Sequence, residues 1–139
     1  SEADGSLLYE VTATPYELWA NAFTPPIGAA DADDDNDGLS NFEEFAFGLL
    51  PNDGTSISPI ATLPDKSSGT FTYTRRDTSL THLTYTIWYS ADLIHWFEDT
   101  DATENIVLLL DAIETVEVSL SNLPGNPLPD TLFIQVRAE

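Results

Sequence analysis

The sequence predicts an α+β fold in which short helices, joined by an acidic loop, pack on a small antiparallel β-sandwich. Three observations carry this. Two helix-start signatures occur before residue 51. Beyond residue 70 the apolar period changes from helical to two. Between them, residues 52–69 are mostly Ser, Thr, Pro, Asp and Gly, the composition of a connection. The expected organisation is a helical segment over 1–51, a connection over 52–69 and a β-sandwich over 70–139, forming one compact unit.

The first helix is expected over TPYELWANAF, residues 14–23. Thr14 stands at the N-cap, Pro15 at the first helical position, and Glu17 completes a capping box. Leu18, Trp19, Ala22 and Phe23 give it an apolar face, and Pro25 and Pro26 end it. In the second helix Ser40 and Glu43 form another capping box, followed by a stripe of Leu39, Phe42, Ala46 and Leu49 that runs out near Gly48 and Pro51. Six strands are then expected: FTYTR at 71–75, LTYTIWYS at 83–90, IHWFE at 94–98, NIVLLL at 105–110, TVEVSL at 115–120 and TLFIQVR at 131–137. NLPGNPLPD is the last loop, and IVLLL, the longest apolar run, reads as a buried strand.

Composition narrows the function. The chain has 24 acidic residues against four Lys and Arg, for a formal net charge of −20. Nucleic acid is therefore a poor partner, because binding it needs clustered cations to replace phosphate counterions. The absence of cysteine removes disulfides, thiol redox chemistry and thiolate metal sites. No run reaches the ~18 apolar residues of a membrane span, so no membrane insertion is expected. No signal peptide opens the chain, and Ser1 reads as the start of a processed or excised protein.

DADDDNDGLSNFEE, residues 31–44, is the most informative stretch. Taking Asp33 as position 1, Asp35 falls at 3, Asp37 at 5, Gly38 at 6, Leu39 at 7, Asn41 at 9 and Glu44 at 12, the pattern of an EF-hand-like calcium loop. The spacing has a physical reason. Alternate residues of a tightly turning loop point inward and supply oxygens to a hard cation, and the glycine allows the turn. Leu39 would lend its carbonyl, Asn41 its amide or a bridging water, and Glu44 would close the shell with both oxygens. Ca²⁺ is expected over Mg²⁺, which demands a tighter octahedron and keeps its waters. A solvated acidic linker is the alternative reading. The segment TPPIGAADA stands where an EF-hand would have its incoming helix, so the hand is half built. EDTDATE, residues 98–104, lacks the glycine and is at most a weak second cation site.

With these motifs in view, the chain resembles a C-terminal module of secreted proteins of verrucomicrobia and related bacteria. The resemblance rests on YELWANAF, DADDDNDGLSNFEEFAFGLLP, FTYTRR and TYTIWYSADLIHW, and covers most of the chain. The loop is also similar to thrombospondin type 3 and dockerin repeats. The resemblance implies a noncatalytic, extracellular or cell-surface appendage of a larger enzyme or adhesin, often a polysaccharide-degrading one.

Catalysis has little support in the residues. His82 and His95 are the only histidines, and there is no GxSxG, phosphate loop or HExxH. A calcium-stabilised accessory module is therefore the leading reading, a carbohydrate-binding module for neutral or uronate polysaccharide the second, and a protein-docking or surface-attachment module the third. For the second, alternation in LTYTIWYS puts Trp88 on the Thr-rich face opposite Ile87. Trp88 and Trp96 are thus candidates for a sugar platform, against the alternative that both pack under the helices.

Overall fold

The computed structural model describes residues 12–55, 58–62, 64–65, 67–121 and 131–139. Among the described residues, seven strands form two antiparallel sheets accompanied by three short helices, an α+β, sandwich-like architecture. Helix α1 spans Pro15–Ala20 and α2 spans Asn41–Phe47. Strand β1 (Ile60–Thr62) pairs with β2 (Thr70–Arg76), and a four-residue helix α3 (Thr78–Thr81) leads to β3 (Tyr85–Ser90). Then follow β4 (Phe97–Glu98), β5 (Thr103–Leu110), β6 (Ile113–Ser119) and β7 (Phe133–Ala138). The sheets run β1-β2-β6-β5 and β4-β3-β7.

Period-two alternation builds the core. Phe71 and Tyr73 of β2, Val116 and Val118 of β6, and Ile87 of β3 are buried together with Ala46 and Phe47 of α2. Ile134 and Val136 of β7 pack against them. Helix α2 is therefore buried over most of its surface, and it is fastened to the sheets by polar bonds from both. Tyr85 Oη donates to the Ala46 carbonyl at 2.6 Å, and Arg76 Nε donates to that of Phe45 at 2.9 Å. The Arg76 guanidinium also lies 5.4 Å from the Trp19 ring centroid, which ties α1 to the same corner.

Several expectations need correction. The 52–69 connection contains β1, three residues long and paired only at the sheet edge. Helix α1 is shorter than TPYELWANAF, and Leu18 faces solvent, while Tyr16 and Trp19 pack on Phe45. Most of IHWFE is a turn, because Asp92 Oδ1 accepts from the backbone N–H groups of Ile94 and His95 and holds the chain out of the sheet. The IVLLL run is a strand but not a buried one: all of β5 is exposed. It lies at the edge of the wider sheet, and β4, next to it in the chain, contributes only two residues to the narrower one. NLPGNPLPD lies outside the described residues.

Candidate cation site

The acidic loop is held from both sides before any ion is considered. Ahead of it, the segment TPPIGAADA is not helical. Its Ala30 and Ala32 carbonyls accept from the Phe42 and Asn41 N–H groups at the start of α2. Asn41 is fully buried: its Nδ2 donates to the Ala29 carbonyl at 2.9 Å and to Asp34 Oδ1 at 3.0 Å, and its Oδ1 accepts from the Asp34 N–H at 3.2 Å. Asp34 Oδ2 in turn accepts from the Gly28 N–H. Asn41 therefore spends its amide on fastening the incoming segment to the loop rather than turning it inward. Sequence spacing could not show this, since it depends on how TPPIGAADA folds back.

Within the loop, Asp33 accepts from the Asp37 and Gly38 N–H groups, and those bonds, Gly38 foremost, hold its carboxyl below the usual range. Asn36 and Gly38 adopt φ of 58° and 95°, which turns the second half of the loop back. Asp37 Oδ1 accepts from the Leu39 N–H. The capping box forms as expected, with Ser40 Oγ accepting from the Glu43 N–H and Glu43 Oε1 from the Ser40 N–H. Gly54, from the segment after α2, covers the Asp35 carbonyl and the Asp37 side chain.

This scaffold brings together acids that would otherwise repel one another. Asp33, Asp35 and Asp37 each place a carboxylate oxygen within 4.8 Å of the other two. Glu44, fully buried on the first turn of α2, faces Asp35 and Asp37. Burial, followed by those two negative charges, pushes its carboxyl up to about 8. Burial and Asp37 likewise raise Asp35. Among the described residues, the buried side-chain polar atoms that lack a hydrogen-bond partner are both oxygens of Asp35, Oδ2 of Asp37 and both oxygens of Glu44. Leaving buried acceptors unmet is costly, each by about 1–3 kcal/mol. Their convergence gives a hard cation an all-oxygen, multiply charged shell. The group could therefore hold a metal ion.

The other candidate residues lie elsewhere. In EDTDATE, Asp99 is committed to Ser121, accepting from its N–H and hydroxyl at 2.7 Å, and Glu104 is committed to Arg75. Trp88 and Trp96 do come together on the outer face of the narrower sheet, with Arg137 between them. Its guanidinium lies 3.8 Å from the Trp88 centroid and 6.0 Å from that of Trp96. Trp88 Nε1 donates to Thr86 Oγ1, so this half-buried ring already has a cation on one face and a bond at its edge. His95 Nδ1 lies 2.7 Å from Asp92 Oδ2 on the exposed turn.

A second acidic cluster, which sequence reading did not single out, lies inside the sandwich. Arg75 on β2 donates from Nε to Glu114 Oε2 at 2.7 Å and from Nη1 to Glu104 Oε2 at 3.0 Å. The same Nη1 donates to Tyr73 Oη, which donates to Glu104 Oε1. The available signal was alternation in FTYTRR, which places Arg75 on the same face as Phe71 and Tyr73 and so implies an acidic partner.

Compared with protein-family models, with curated proteins and with solved structures, the chain finds no match.

Proposed function

We propose that residues 33–44 form an EF-hand-like Ca²⁺ site whose task is structural, and that the chain is a noncatalytic, calcium-stabilised accessory module of a secreted multidomain protein. The observation that carries this is Glu44: a fully buried carboxylate, neither oxygen hydrogen-bonded, aimed at two further acids. Side-chain oxygens of Asp33, Asp35, Asp37 and Glu44 and the Leu39 carbonyl would hold the ion. Water would stand where Asn41 does not reach, a common arrangement at the ninth loop position. Bound calcium supplies +2 charge against a cluster of formal charge −4, and it substitutes for the missing donors. The half-built hand favours a structural role, because Asn41 and Asp34 lock the incoming segment where a signalling hand would need a movable helix. Both histidines lie in exposed local turns, in keeping with a noncatalytic part.

The test is thermal unfolding in chelator, with calcium restored and, separately, with magnesium at equal concentration. At free calcium ~100 times the dissociation constant, the gain should be roughly 2.7 kcal/mol, with a much smaller one from magnesium. An unchanged melting temperature with both ions would overturn the reading.

A further inference from the structure

The two halves of the acidic loop are joined by a bridge. Asp34 stands between Asp33 and Asp35, and Asn41 opens α2 three residues before Glu44, on the same face of the helix. The two are bonded twice: Asn41 Nδ2 donates to Asp34 Oδ1 at 3.0 Å, and Asn41 Oδ1 accepts from the Asp34 N–H at 3.2 Å. The bridge is anchored outward as well. Asn41 Nδ2 also donates to the Ala29 carbonyl at 2.9 Å. Asp34 Oδ2 accepts from the Gly28 N–H at 3.0 Å, and the Gly28 carbonyl accepts from Tyr16 Oη of α1 at 2.7 Å. Tyr16 in turn packs edge to face on Phe45, the residue after Glu44, with ring centroids 5.6 Å apart. A Cβ on Gly28 would stand 3.1 Å from Asp34 Oδ1, so glycine is what lets the segment come this close.

We propose that Asp34 and Asn41 are positioning residues that set the calcium affinity of the loop without supplying an oxygen to the ion, an inference that rests on the calcium site proposed above. Like charges must be brought together before an ion can neutralise them, and whatever already holds them there lowers the cost of binding. Fixing Asp34 restrains Asp33 and Asp35 on either side of it, and fixing Asn41 restrains the rotation of α2 and with it Glu44. The division shows in the bonding. Both polar atoms of the buried Asn41 amide are taken, whereas both oxygens of Asp35 and both of Glu44 lack a partner. A residue that faced the ion from the ninth loop position would bind it more tightly as a carboxylate. A bridging residue would bind it less tightly, because Asn41→Asp sets a carboxylate oxygen against Asp34 Oδ1 and leaves the Ala29 carbonyl without its donor.

The experiment is calorimetric titration of calcium into the parent chain, Asn41→Asp, Asp34→Ala and Asp31→Ala, with the melting temperature of each in chelator measured alongside. Asn41→Asp and Asp34→Ala should raise the dissociation constant by about 10–100-fold, the usual cost of losing a group that orients metal ligands. Asp31→Ala removes a charge from an exposed residue of the same segment, and should change it by a few-fold at most because exposed charges are screened. Asn41→Asp binding calcium as tightly as the parent, or more tightly, would overturn the proposal and leave the calcium site standing. So would a lowered melting temperature in chelator with an unchanged dissociation constant, the mark of a pair that only supports the fold. A parent chain that binds no calcium would overturn both. If Asn41→Asp does not fold, Gly28→Ala decides. Its methyl presses on Asp34 from outside the loop and should weaken calcium binding several-fold, and an affinity equal to that of the parent would overturn the proposal.

Discussion

Two acidic clusters, each with a buried glutamate, differ in where the compensating charge comes from. Inside the sandwich, Glu114 and Glu104 share Arg75, and the Tyr73 hydroxyl closes the network. In the loop, Asp35, Asp37 and Glu44 have no such cation, and five of their oxygens accept nothing from the protein. Glu114 and Glu44 are almost equally inaccessible to water, at 4% and 0% exposure. Burial alone therefore does not decide whether a carboxylate is comfortable; the presence of a built-in partner does. One cluster is complete as folded, and the other leaves buried oxygens unmet that an ion could meet.

The sharpest way to break this contrast is to remove the built-in partner. Arg75→Met leaves Glu114 buried and unpaired, and should cost about 3–5 kcal/mol, read as a lower urea midpoint at unchanged slope. The loss should persist in saturating calcium, because among the described residues the acids grouped closely enough to hold an ion are those of the loop. Recovery of the Arg75→Met variant by calcium would mean that the two clusters are not distinct.

The same contrast predicts opposite signs for one substitution made at each site. Glu114→Gln keeps the shape but breaks the charge-assisted bond from Arg75, and should destabilise by about 1.5–3 kcal/mol whether or not calcium is present. Glu44→Gln removes a buried negative charge facing two others. In chelator it should raise the melting temperature above that of the parent. In calcium it should fall below the parent, because the response to the ion is largely lost. If Glu44→Gln destabilises in both conditions, Glu44 is a structural acid of the ordinary kind.

A smaller effect should appear in the pH dependence. The carboxyl of Glu44 rises from an ordinary 4.5 to about 8 in the ion-free fold. Between those values the folded chain binds more protons at Glu44 than the unfolded one, so this group's contribution to ion-free stability is full below pH ~4.5 and declines as pH rises toward 8. Asp35, raised by the same causes, adds to the decline. Calcium competes with the proton for these oxygens, so the calcium-induced shift in melting temperature should grow from pH 5 to pH 8. A stability that climbs with pH in chelator over this window would count against the buried-carboxylate account.

The two clusters also differ in how far they were legible in the sequence. The grouping of the acids was readable because they fall within twelve positions: Asp33, Asp35 and Asp37 bring carboxylate oxygens within 4.8 Å of one another, and Glu44 faces the last two. Asn41 was not readable, because its role depends on contacts with Ala29 and Asp34 made by a segment without periodicity. The Arg75 network joins residues 29 and 39 positions apart, brought together by the registers of β2, β6 and β5. Alternation correctly set Trp88 opposite Ile87, yet Arg137 stacks on it only because β3 and β7 pair Thr86 with Arg137. The apolar run in β5 announced a strand, but its burial depended on the width of the other sheet, which no local pattern encodes.

The last prediction isolates the loop from everything else that holds the fold. A Cβ at Gly38 would meet nothing within 4 Å, so the cost of Gly38→Ala is confined to the backbone, which an alanine must hold at φ 95°. That strain is on the order of 1 kcal/mol or somewhat more. Gly48→Ala makes a useful control, since φ is 72° there but the new methyl would also press on Ile113 Cδ1 at 2.5 Å, coupling the helix end to the sheet. Both variants should lower the melting temperature in chelator. Only Gly38→Ala should also shift the calcium titration to higher concentration, because the turn at Gly38 brings Glu44 back over Asp35 and Asp37, whereas the turn at Gly48 follows the last proposed ligand. Equal calcium midpoints for the two variants would show that the loop's curvature does not set its affinity, and that the acids alone do.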